Sequence, residues 1–131
     1  MRLLQRKGMN WIATGALLMA AAVGLGAFGA HGLRNRLDAY SISVYEKAVF
    51  YHFVHALGIL FAAALARSQA ISSAAQSRVC WLLFIGILVF SGSLYALAIS
   101  GIRMLGAITP IGGLAFIGAW IVLAYEALQK R

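Results

Sequence analysis

An all-α integral membrane protein, a bundle of four transmembrane helices, is the fold class that three features of the sequence predict. Hydrophobic residues make up 63% of the 131 residues and charged residues 11%, against about 45–50% and about 25% in soluble domains. The apolar residues gather in four runs, each near the roughly 20 residues that cross a bilayer. The Lys and Arg residues stand at the ends of those runs rather than on one face. Four spans use roughly 80 positions and leave about 50 for connections and ends, so four crossings fit and six do not.

A window of one bilayer thickness places the spans near residues 9–30, 48–66, 79–99 and 104–125, in a single domain of residues 1–131. The first run follows Arg2, Arg6 and Lys7, which raises the alternative of a signal peptide. Its apolar stretch of about 20 residues exceeds the usual 7–15 of such a segment, which predicts an uncleaved first helix. GLGAFG, with Gly24, Gly26 and Gly29, matches G-x-G-x-x-G literally. That fingerprint needs a preceding strand and a βαβ unit, and here it ends a long apolar helix. Ala22, Gly26 and Ala30, four apart, read instead as a shallow stripe where another helix approaches closely.

The first connection, His31 to Lys47, is longer than a turn. Leu33, Leu37, Tyr40 and Val44 recur at helical spacing while Arg34, Arg36 and Asp38 fall elsewhere around the wheel. This predicts a short amphipathic helix in the first external loop, lying on the membrane surface or forming a lid over a site below it. Arg34 and Asp38 are spaced for an i,i+4 ion pair. In the second span Tyr51, His52 and His55 stand together, the histidines on one helical face. A polar group at that depth is costly and usually faces a bundle interior or a water-filled cavity. Three readings stay open for the pair: a neutral pair hydrogen-bonded across the bundle, proton or solute handling, and two of the donors of a metal or haem site with His31 as a third.

The second connection, Arg67 to Arg78, rich in Ser, Ala and Gln, reads as a solvated loop. The third span carries Ser91, Ser93 and Tyr95; the fourth carries Thr109 and Pro110. Pro110 lacks an N–H and disfavours helical geometry at Thr109, which leaves a plain kink or a broken helix of the kind that lines transport sites. Counted from the predicted outer ends at 1.5 Å per residue, the polar residues of spans two to four share one level, roughly 5–15 Å into the membrane. A polar cluster in the outer half of the bundle is therefore expected.

The formal charge of +8 would suggest nucleic acid in a soluble domain. Dispersed at helix ends, it points to anionic lipid headgroups and topology signals, with no nucleic-acid partner. Seven cations, Arg2, Arg6, Lys7, Arg67, Arg78, Lys130 and Arg131, fall on one side, and Arg34, Arg36, Lys47 and Arg103 on the other. Both termini are thus expected in the cytoplasm. Trp11, Trp81 and Trp120 would sit toward that end of their helices, in an interfacial belt. Cys80 has no partner for a disulfide or a C-x-x-C pair. Ser91 and Ser93 lack the G-x-S-x-G elbow, and Asp38, Glu46 and Glu126 form no paired-carboxylate motif. No enzyme, cofactor or metal site is expected.

GAFGAHGL at Gly26–Leu33, YHFVHAL at Tyr51–Leu57, and the stretch from Phe90 to Trp120 beginning FSGSLY together resemble the YgdD-like bacterial inner-membrane family. That family carries a domain of unknown function and has distant relatives among mitochondrial small transmembrane proteins. The resemblance implies a four-span protein of the bacterial inner membrane and brings no substrate, cofactor or catalytic residue. The family's recurring positions fall on His31, Tyr51, His52, His55, Ser91, Ser93, Tyr95, Thr109 and Pro110. The Arg-rich start and residues 67–78 look individual to this chain.

The leading expectation is a non-enzymatic accessory, assembly or scaffold component of a membrane complex, or a homo-oligomer. A 14.0 kDa bundle has little room for a private aqueous path, whereas small-residue stripes suit close helix association. The alternative is a small-solute or proton-coupled transport module using the His, Ser, Tyr and Thr cluster. A metal- or haem-binding component is the third.

Overall fold

The computed structural model describes residues 8–130. Four helices run through them: α1 (Trp11–Leu33), α2 (Ala39–Arg67), α3 (Ser73–Ser100) and α4 (Arg103–Gln129), each long and apolar enough to cross a membrane. Local chemistry starts three of them. The side chains of Asn10, Asp38 and Ser72 accept from the backbone N–H groups of Ala13, Ser41 and Ala75 respectively. Each bond satisfies one of the N–H groups that a helix start leaves without an internal partner. The bond from Ser41 holds the Asp38 carboxyl below the usual carboxylate range. Gly101 ends α3 at φ 72°, a left-handed turn that glycine adopts without a Cβ clash, and Ile102 alone separates it from α4.

Two of the helices contain a wide turn. Gly29–Leu33 closes α1 as π-helix, and Ile87–Ser91 interrupts α3 in the same way. α4 opens with a 3-10 turn, Arg103–Ala107, before the α-helix proper, Thr109–Gln129. Pro110 sits in the first turn of that helix, where its missing N–H would have had no partner. Just ahead of it the chain passes from the 3-10 turn through Ile108 into regular α-helix.

The chain order sets the packing: α1 lies on α2, α2 on α3, and α3 on α4. α2 and α3 form the inner pair, with 44% of their apolar stretch buried against 17% in α1 and α4. Trp11 meets Trp81 edge-to-face at 5.1 Å, Arg78 pairs with Glu126, and Lys130 donates to the Gln69 carbonyl. The described chain ends and the α2–α3 turn therefore share one side of the bundle. Arg103 over the Tyr40 ring, 5.2 Å from its centre, marks the opposite side.

Two connections differ from the sequence reading. The first connection holds no separate surface helix: Leu33 belongs to α1, residues 34–38 form the turn, and Tyr40 and Val44 belong to α2, which starts nine residues before Ala48. The four residues of the amphipathic pattern therefore belong to three different pieces of chain, and of the two in α2 Tyr40 is exposed while Val44 is buried against the bundle. The solvated loop shrinks to residues 68–72 because Ser72 caps α3. Trp120 packs over Gly58 of α2.

The small-residue stripe shifts by one position. Ala22 is buried and Gly26 faces Val49, but Ala30 is exposed and Gly29 takes its place against Tyr45. At about 100° per residue, Gly29 is roughly 20° out of phase with Ala22 and Ala30 roughly 80°. Arg2, Arg6, Lys7 and Arg131 lie outside the described residues.

Candidate functional site

The core has two apolar clusters. One gathers Trp11, Ile59, Leu83 and Phe116 near the chain ends; the other gathers Leu33, Val44, Leu94 and Leu97 near the far side. Between them along α2 and α3 stand the polar residues that the sequence singles out. Because α2 begins at Ala39, His52 and His55 lie near the middle of that helix rather than in its outermost turns.

Ser91 and Tyr95, four apart, share a face of α3 that meets α2. Ser91 Oγ, fully buried, donates to the Ala48 carbonyl at 2.8 Å. The Tyr95 hydroxyl and His52 Nδ1 are 3.0 Å apart. Ser93, two residues from each, turns the other way: its Oγ lies 2.6 Å from Thr109 Oγ1 on α4 and 2.9 Å from the Phe90 carbonyl, to which it donates. The π turn that ends at Ser91 is the kind of local widening found at positions where a helix serves something besides packing. At the same turn Gly112 brings the α4 backbone against that of Phe90.

His55 occupies a different setting. Its ring stacks on Phe116 with centres 3.6 Å apart and planes 12° off parallel, and Nδ1 is 2.8 Å from the Tyr51 carbonyl. The Tyr51 ring, nearly parallel, lies beside both of these rings, 5.9 Å from His55 and 6.3 Å from Phe116, and Trp120 stands 5.9 Å from His55. The two histidines thus share a helical face but lead to different neighbours, His52 to α3 and His55 to α4. His31 is exposed at the end of α1, and Pro110 is exposed at the start of α4. Neither joins the cluster.

His52 Nε2 is buried and makes no hydrogen bond of good geometry among the described residues, with the Leu18 backbone of α1 the polar group beside the ring. A neutral imidazole carries one donor and one acceptor. If Tyr95 donates to Nδ1, an N–H is left unpaired at Nε2; if Nδ1–H donates to Tyr95, a lone pair is left there. The serine hydroxyls bond to backbone carbonyls or to Thr109, and neither meets a histidine. A nucleophile with an adjacent base is therefore not assembled in this cluster. Among the described residues no three His, Cys, Asp or Glu side chains converge on a common point.

Sequence reasoning misses Tyr45. Its ring lies over Gly29, its hydroxyl donates to the Leu25 carbonyl, and it meets Tyr95 edge-on at 5.3 Å. The signal is present: Tyr45, Ala48, His52, His55 and Ile59 recur at alternating spacings of three and four and are all buried.

Residues 25–113 match the family described as "Protein of unknown function (DUF423)". The chain is 51% identical over 113 residues to a UPF0382 membrane protein of Staphylococcus saprophyticus, covering 86% of this chain and 92% of that one. It is 46% identical over 120 residues to the UPF0382 membrane protein YwdK of Bacillus subtilis, covering 91% and 96%. A UPF0382 membrane protein of Staphylococcus haemolyticus is 49% identical over 119 residues, covering 91% and 95%. No solved structure matches the chain.

Proposed function

The chain belongs to the DUF423 family of membrane proteins, and from that premise we propose a non-enzymatic accessory or scaffold role, exercised through helix contacts with a partner membrane protein or a second copy. One observation carries this reading: the polar side chains are spent inside the bundle, while the outer helices offer uninterrupted apolar faces. Leu17, Val23, Ile111, Leu114, Ile117 and Ile121 are all more than half exposed. In a bilayer such faces meet lipid or another helix, and association there is driven by close packing rather than by polar chemistry.

The same proposal puts the protein in a bacterial inner membrane with both termini in the cytoplasm, its basic ends on anionic headgroups, and it includes kinship with the YgdD-like proteins. The test is affinity purification from native membranes at native expression level in mild detergent, with quantitative mass spectrometry and mass determination of the particle. A stoichiometric partner or a defined homo-oligomer is the expected result. A monomer with no enriched protein overturns the role.

A second reading, a proton- or solute-handling module, draws on the unpartnered Nε2 of His52. It requires that His52→Phe lower flux in proteoliposomes, and equal flux in wild type and variant rejects it. A metal or haem role has no comparable support, because the two histidines diverge to separate partners.

A further inference from the structure

A groove opens sideways from the bundle between the second half of α1 and the first half of α2, with a volume of about 510 Å3. Its floor is low because α1 presents Gly26 there and the Tyr45 ring lies flat over Gly29, and its wall is Val49, Phe50 and Phe53 of α2. From Ile42 to Val54, the extent of α2 along it, is roughly 18 Å at 1.5 Å per residue. One leaflet of the hydrocarbon core is about 15 Å deep. The groove therefore has the length and polarity of a single acyl chain, and its volume lies within the roughly 300–1,000 Å3 of sites that bind small ligands.

Two charges line the same groove, both toward the end where α1 passes into α2. Arg34 follows the last turn of α1, and Glu46 stands on α2 one residue after Tyr45. Both are exposed, and among the described residues the ion pair is Arg78 with Glu126, so neither groove charge has an ionic partner. A carboxylate beside phenylalanine and valine at a membrane face is costly without a counter-charge. An anionic lipid would meet Arg34 and leave Glu46 uncovered; a lipophilic cation would do the reverse.

We propose that the groove between α1 and α2 holds one phospholipid whose headgroup carries both a phosphate and a primary ammonium. The acyl chain lies along Gly26, Tyr45 and Val49, the phosphate on Arg34 and the ammonium on Glu46. The site is separate from the His52 and Ser91 cluster and does not depend on the accessory role.

The test uses the full chain in nanodiscs of phosphatidylethanolamine, phosphatidylcholine and phosphatidylglycerol in equal amounts with identical acyl chains. Native mass spectrometry then reads the lipid retained on the released protein. One retained lipid per chain is expected, with phosphatidylethanolamine enriched over phosphatidylcholine by roughly two- to fivefold, the size of one exposed ion pair. Glu46→Gln should abolish that headgroup preference, and Arg34→Gln should lower retention of all three lipids. Ala30→Phe fills the mouth from an exposed position and should prevent retention with melting unchanged. Retained lipid in the bulk ratio, or a preference untouched by Glu46→Gln, overturns the proposal. So does a disulfide-linked dimer formed quantitatively by Ala30→Cys in lipid, which would show that a second copy covers the groove.

Discussion

At Tyr95 a single hydroxyl joins α3 to α2 through His52, and the worth of such a bond in a membrane is modest. Interhelical hydrogen bonds in lipid average about 0.6 kcal/mol and reach about 1.7, because the unfolded helices also find partners. Tyr95→Phe leaves the buried Nδ1 of His52 without a partner and should cost more, about 1–3 kcal/mol. Adding His52→Phe removes the orphaned nitrogen and should recover part of that loss. Equilibrium unfolding of the two single variants and the double variant in bicelles checks this, and a double variant that merely adds the two single losses would show no coupling. That Ser93, Thr109, His52 and Tyr95 stand near one level is legible from residue type and position along the spans. Tyr45 escapes that reading because tyrosine is ordinary near a membrane interface, and only its phase with His52 marks it as inward.

Among the elements, α4 depends on glycine where it crosses α3. A Cβ at Gly112 would meet the backbone of Phe90, which cannot rotate away, whereas one at Gly92 meets nothing within 4 Å. Gly112→Ala should therefore destabilise by about 1–3 kcal/mol, the usual range for overpacking. Gly92→Ala should be neutral or stabilising by up to about 1 kcal/mol through helix propensity. Equal melting temperatures for the two variants would contradict the close crossing. The apolar runs announce the existence of each helix; their starts are less visible. α2 begins at Ala39 because Asp38 caps it, and the polar face of residues 39–47 hides the continuity from a hydropathy window. The π turns leave no mark in composition, since Ile87–Ser91 has the same apolar character as the α-helical residues before it.

For the whole molecule, the contacts of Trp11 with Trp81 and of Lys130 with Gln69 put both described ends on one side. Charge then has to choose the compartment. The described cations on that side are Arg67, Arg78 and Lys130, against Arg34, Arg36, Lys47 and Arg103 on the other. The cytoplasmic assignment therefore leans on Arg2, Arg6, Lys7 and Arg131. A reporter fused after Arg131 should read as cytoplasmic, and one inserted between Gly101 and Ile102 as external. Replacing Arg2, Arg6 and Lys7 with glutamine should give a mixed population, detected by cysteine labelling on the two sides of intact cells. A uniform orientation in that variant would remove these three residues as the signal.

Composition and periodicity suffice for four apolar helices, because lipid demands about 20 residues with every backbone group bonded inside the helix. They also suffice to mark His52, His55, Ser91 and Ser93 as inward, since polar groups at that depth must find partners. Which partners they find depends on helix phase, on the wide turns and on how closely glycines let neighbouring backbones approach. His52 and His55 look like one pair along the chain, yet packing sends one to Tyr95 and the other to Phe116. The groove with Arg34 and Glu46 is likewise invisible in the linear order, because its two walls meet only when α2 folds back on α1.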